Sequence, residues 1–294
     1  MSTHAAFRAW PPIVVLACTL AGCAGGTPPT EVQLEVKPDI STWALPSDAY
    51  APPPHRDLAF AIEMSKCLRA QGYDYPIPRQ NPQAPLPATT NAVGRRLFNK
   101  EIAERFGYHL QLDPSGALED IKAEKDFPLY HDPQFIADED TCYSATVKHF
   151  GEPDSTEGTE DGVAYWQTGS GRSPDLGGDR LRQALEQWRQ CMAPLGIADL
   201  TTPLEFPTPA LANQWQLNSD IPLLELGDSP SADEVRIAVH DATCQESSGW
   251  AQAYYEESWR VDEEFVRENY TELEALQAEY ADLGRRYEAA IAAR

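Results

Sequence analysis

The sequence predicts a mainly α protein: a disulfide-stapled helical bundle with proline-rich connectors and a long C-terminal helix. Three observations lead there. Apolar side chains recur at the helical period in one segment after another. Four cysteines lie in or beside those segments, and proline-rich stretches separate them. Strand patterns are weak, the best being GVAYWQT at Gly162 to Thr168.

The elements follow in order. Leu58, Ala61, Ile62, Met64 and Leu68 form a first apolar stripe. The proline-rich run from Tyr75 to Pro87 ends it, and Leu97, Phe98, Ile102 and Phe106 form a second stripe. Leu181, Leu185, Trp188 and Met192 form a third, followed by the connector Thr201 to Pro209. Ser231 with Glu234 three residues on is a capping box, opening a helix with Val235, Ala238, Val239 and Ala242 turned inward. From Trp250 onward there is no proline, and helix formers of alternating charge predict one helix over 250–292. Its seam, Leu273, Leu276, Tyr280, Leu283, Tyr287 and Ala290, has the three-and-four spacing of a coiled coil, and packs either on the protein's own helices or on a partner.

The N-terminal segment is of another kind. Arg8 and no acidic residue precede an apolar run from Ile13 to Leu20, well short of the ~20 residues that span a bilayer. Residues 1–22 therefore read as a signal peptide. Leu20, Ala21, Gly22 and Cys23 resemble the lipobox of bacterial lipoproteins. That resemblance implies a diacylglycerol on the Cys23 sulfur, a palmitate-type modification, and a place at the outer face of the cell membrane. Two acyl chains anchor stably where one is marginal. Residues 23–54, rich in proline and without apolar periodicity, read as an extended tether. The helical body then occupies 55–294.

Removal of Cys18 and acylation of Cys23 leave Cys67, Cys142, Cys191 and Cys244, which in an exported chain form two disulfides. Three pairings are open. Two internal echoes bear on the choice. In EMSKCLRAQGYDYP and EQWRQCMAPLGIADL, a cysteine is followed by Leu68 or Met192 and then, after three residues, by Gly72 or Gly196 in the place of a helix C-cap. DEDTCYS and HDATCQE set an acid, a spacer and a threonine before Cys142 and Cys244. Either the chain carries two divergent copies of one unit, over 55–150 and 176–248, or the likeness is chance. The two-copy reading pairs Cys67 with Cys142 and Cys191 with Cys244.

A net charge of −23 would repel phosphate at long range, which argues against a nucleic-acid partner. No HExxH, GxSxG or GxxxxGK motif occurs, and His131, His149 and His240 share no ligand spacing, so no metal and no cofactor are expected. The acidic run Gly151 to Gly162 lacks the alternating ligands of a calcium loop. Trp250, Tyr254, Tyr255 and Trp259 fall at helical spacing, either as core or as a stacking surface. Trp250, Tyr254 and Trp259 with Leu273, Leu276, Tyr280 and Leu283 make the candidate interaction face.

The lipobox, the CxxxxGY pattern around Cys67, the segment FNKEIAERFGYHL and the arginine-over-lysine helical tail together resemble uncharacterised exported lipoproteins of actinobacteria. That resemblance brings no residue-level function. The sequence thus points to an anchored, non-enzymatic binding or scaffold module facing an envelope protein or cell-wall partner. The alternative is an envelope hydrolase with a spatially assembled site. A solute-binding protein of two α/β lobes fits the pattern less well.

Overall fold

A computed structural model describes residues 36–151, 173–217 and 229–294, all within one compact unit over 34–294. The signal peptide, the lipobox, the acidic run beyond Gly151 and the strand pattern at 162–168 lie outside the described residues. Among the described residues there are nine α-helices: α1 Arg56–Ala70, α2 Lys100–Phe106, α3 Ala117–Lys125, α4 Pro133–Phe150, α5 Asp179–Met192, α6 Pro209–Gln214, α7 Ala232–Ser247, α8 Trp250–Glu268 and α9 Tyr270–Ala292. Among the described residues the only β pairing is two isolated bridges, Asp39 with Ala44 and Thr90 with Arg96. The mainly α, disulfide-stapled bundle is the fold observed.

Local chemistry sets the helix ends. Asp132 accepts from Gln134 N and Phe135 N, with Pro133 at the first helical position, and opens α4. Gly72, at φ 100°, closes α1 as the sequence predicts: its N–H donates to Arg69 O while Tyr73 N donates to Leu68 O. Gly196 differs slightly, because a short 3-10 turn, Ala193–Leu195, extends α5 before the glycine.

Helices α1, α4 and α9 pack around Phe60, Phe150 and Tyr287, and the Cys67–Cys142 disulfide joins α1 to α4. Helices α5, α7 and α8 pack around Trp188, Ala238 and Trp250, and Cys191–Cys244 joins α5 to α7. Both pairings are those of the two-copy reading. The second echo also has a structural counterpart, since Thr141 and Thr243 each donate to the carbonyl four residues back, Ala137 and Val239. The copies are nevertheless not separate in space. Helix α2, from the first, packs on α7 of the second, because Ala103 of α2 and Tyr108 just beyond it complete the core around Trp188.

Two expectations need correction. The segment taken as a tether to residue 54 is folded from about Asp39 onward. Pro46–Tyr50 forms a 3-10 turn against α8 and α9, Leu45, Ser47 and Tyr50 are buried, and Ser47 N and Oγ donate to Asp262 at 2.7 and 2.9 Å. Three anchoring side chains among prolines carry no periodicity, so the sequence pattern is silent. The C-terminal helix is also two helices. Asn269 turns back on α8, its N and Nδ2 both donating to Phe265 O at 3.1 and 2.8 Å, and so competes with continuation of the helix.

Candidate functional site

An aromatic cleft is built on a buried polar centre in α7. Asp241 is buried with every polar atom engaged: Trp188 Nε1 donates to Oδ1 at 2.8 Å, Tyr108 Oη to Oδ2 at 3.0 Å, and Gln245 Nε2 to both oxygens at 3.1 Å. Burial is the main cause that holds the Asp241 carboxyl above its usual range, against those three donors. Burial likewise drives the Tyr108 phenol upward, with the Asp241 charge beside it acting in the same direction.

At the N-terminus of the same helix, Ser231 accepts from Glu234 N as a capping box requires, but the Glu234 side chain does not return to Ser231. It is buried instead, with Oε1 accepting from Tyr108 N at 2.7 Å and lying 2.9 Å from His109 Nδ1. Its Oε2 is buried without a hydrogen-bond partner among the described residues. This close approach explains Gly107: a Cβ there would lie 2.4 Å from Glu234 Oε1, at a backbone φ of +57°.

Above this centre opens a cleft of about 270 Å³, lined by Trp43, Arg96, Phe98, Tyr108, Pro203, Leu204, Phe206, Asp241, Gln245 and, from α8, Trp250, Ala251 and Tyr254. Its size is at the lower end for small-molecule sites, enough for a single ring. Tyr254 lies parallel to Trp250 at 5.9 Å and is tilted 36° to Trp43 at the same distance. Phe98 stacks on Tyr108 at 5.3 Å. Arg96 is exposed at the opening, donates Nη2 to Tyr108 O at 2.8 Å and lies over the Phe98 ring. The protein around its guanidinium lowers the pKa through desolvation, with Tyr108, Asp241 and Glu234 opposing.

A second recess of about 350 Å³ lies between α1, the Tyr75–Pro78 strip and α3, with Met64, Ile77 and Ile121 inside and Asp57, Asp113, Asp120 and Glu124 around it. Asp120 is committed to the backbone, accepting from Arg79 N and Gln80 N at 2.8 Å.

The candidate interaction face does not survive as one surface. Trp250, Leu273, Tyr280 and Leu283 are buried, and Tyr254, Trp259 and Leu276 are half-buried. Leu273 packs with Tyr50 and Val266; Leu276, Tyr280 and Leu283 pack with Phe60 and Phe150; Trp259 leans on Tyr255 and donates to Glu263. The coiled-coil seam is therefore used internally. Only Trp250 and Tyr254 reach the cleft.

The cleft residues that the sequence pattern misses are Trp43, Arg96, Tyr108, Asp241 and Gln245. A tryptophan and a leucine inside a proline-rich stretch were the available signal for the first. Of the histidines, His240 sits within 4.8 Å of Cys191 and Cys244, but both sulfurs are in the disulfide and its Nε2 lies 2.9 Å from Cys191 O. A disulfide offers no thiolate to a metal. His149 packs edge-on against Phe150 and His131 against Tyr130.

No family model, curated protein or solved structure matches this chain.

Proposed function

We propose that the chain is an exported lipoprotein, held at the outer face of the cell membrane through Cys23, whose helical body is a non-enzymatic binding module with the aromatic cleft as its recognition site. The lipobox resemblance supports the anchor. The observation that carries the binding reading is the cleft itself. Side chains from the N-terminal segment, the strip before α2, the connector after α5, and α7 and α8 converge on one ring-sized recess. Aromatic faces with a few fixed polar groups are the usual composition of a ligand site.

Among the described residues, neither recess is lined by a serine, threonine, cysteine, lysine or histidine, the side chains that serve as nucleophile or its base in acyl transfer. The hydrolase reading draws instead on the carboxylates of the second recess, since paired carboxylates serve glycoside hydrolysis. The commitment of Asp120 to two backbone amides weighs against it.

The test has two arms. In the producing cell, wild-type chain should incorporate labelled palmitate and sediment with membranes, and Cys23→Ser should do neither; unlabelled wild type would refute the anchor. In ligand-observed NMR, benzene, indole and pyranose fragments are titrated into the full chain and into the double variant Trp43→Ala with Tyr254→Ala. Binding of at least one fragment, lost in the variant, is expected. Absence of any binding, or binding that survives the variant, would refute the cleft.

A further inference from the structure

We infer that the cleft takes a small ring compound bearing a carboxylate, the ring lying against Trp43 and Tyr254 and the carboxylate on Arg96. This rests on the reading of the cleft as the recognition site and adds to it the charge of the ligand.

The argument begins with charge pairing. Acidic residues outnumber lysine and arginine by 46 to 23, so an exposed arginine has carboxylates within easy reach. Most arginines use them: Arg95 is paired with Asp48, Arg180 with Glu256, Arg189 with Glu186 and Arg260 with Glu257. Arg96 differs from its immediate neighbour. Among the described residues it has no ion pair, and its hydrogen bonding is confined to Nη2 on Tyr108 O. A guanidinium has five N–H donors in a planar fork that matches a carboxylate edge to edge. Four of them remain, in a recess whose walls include the rings of Trp43, Phe98, Tyr108, Phe206, Trp250 and Tyr254.

The nearby acids do not take this place. The oxygens of Asp241 are covered by Trp188, Tyr108 and Gln245, and Glu234, held by Tyr108 N at its Oε1, does not line the cleft. An incoming anion therefore meets the remaining donors of Arg96, while a ring finds Trp43 and Tyr254. The volume of about 270 Å³ limits the ligand to one ring with a short acidic arm. Aromatic acids and sugar acids share this chemistry, because a pyranose also presents a flat apolar face to tryptophan or tyrosine.

The experiment is calorimetric titration of the full chain with two pairs of probes, 4-hydroxyphenylacetate with its amide and D-glucuronate with D-glucuronamide. Each pair differs only in the charge that Arg96 would recognise. In at least one pair the acid should bind about tenfold more tightly, in keeping with the greater strength of a bidentate charge-assisted hydrogen bond, and the favoured pair identifies the ring. Arg96→Gln should bring that acid down to its amide. Should Arg96→Gln fail to fold, wild type alone decides: raising salt from about 20 to about 200 mM should weaken the acid and leave the amide unchanged, because that range shortens the screening length severalfold. Equal binding of acid and amide in both pairs, or an acid preference retained in a folded Arg96→Gln, overturns the inference while leaving the cleft as a neutral-ring site. Failure of all four probes to bind would instead count against the cleft reading on which it rests.

Discussion

Asp241 shows how a single side chain organises this site. It places the Tyr108 ring, orients Trp188 and holds Gln245, so the cleft floor is rigid before any ligand arrives. Asp241→Ala leaves the buried donors of Trp188 and Tyr108 and the half-buried Gln245 amide without an acceptor and should destabilise the fold by about 2–4 kcal/mol, measured by urea unfolding. Gly107→Ala should also be costly, since it imposes both a left-handed backbone on alanine and a clash with Glu234 Oε1. Asp262 gives a pH signature. Its carboxyl is raised above the usual value chiefly by burial, against the hydrogen bonds from Ser47 and the charge of Arg95. The folded state then holds the proton longer than the unfolded state, so the contribution of Asp262 is greatest below the ordinary aspartate pKa and falls as pH rises through the folded pKa. Thermal stability followed upward from pH 4 should show a component of that sign, and Asp262→Asn should remove it. Glu256, exposed, and Glu257, half-buried at the surface, are lowered mainly by Arg180 and Arg260, and as surface pairs add little. At this scale the sequence is partly legible. Ser231 is a cap as predicted, but the Glu234 side chain is not, because the box pattern cannot show that Gly107 and Tyr108 pack over that end of α7.

Elements were the most legible level where periodicity is long. The stripes of α1, α5 and α7 are visible as spacing, and Gly72 marks the end of α1 by its chemistry. The break at Asn269 is not visible, since strong helix formers run on both sides of it and a single side-chain hydrogen bond decides the matter. The break matters for packing. It lets α8 follow α5 while α9 turns onto α1 and α4, so the seam from Leu273 to Ala290 is covered by Tyr50, Phe60 and Phe150. Tyr287→Ala, which empties a fully packed site edge-on to Phe150, should cost about 3–5 kcal/mol. Denaturant unfolding would check it, and a near-neutral result would mean that α9 is not docked as described. The 3-10 turn at Pro46–Tyr50 is the opposite case: too short for any period, it is held by Ser47 on Asp262 and by Tyr255, whose hydroxyl accepts from Asp39 N and donates to Ala44 O.

At the level of the whole molecule, two disulfides close loops spanning separations of 75 and 53 residues. On the chain-entropy model each contributes about 4 kcal/mol, a large part of the net stability of an ordinary domain. Replacing either pair with alanines should lower the melting temperature markedly, and both together more so; non-reducing peptide mapping should show the same two pairings. The bridges tie each half locally, while α2 crosses from one half to the other and Trp43 arrives from the N-terminal segment. That long-range assembly is why the pairing could be read from echoes in the sequence but the cleft could not. Its walls come from segments more than two hundred residues apart in the chain, and no local pattern links Trp43 to Tyr254 or Arg96 to Gln245.

The central claim, that ligand binds in this cleft, is tested most directly by locating where a bound ring acid protects the backbone. Hydrogen–deuterium exchange of the full chain, with and without saturating 4-hydroxyphenylacetate or D-glucuronate, reports this segment by segment. Slowed exchange is predicted around Trp43, at Arg96 to Phe98, at Pro203 to Phe206 and over Asp241 to Tyr254. Protection confined to the second recess, at Tyr75 to Gln80 and Ala117 to Glu124, or no protection at all, would contradict it.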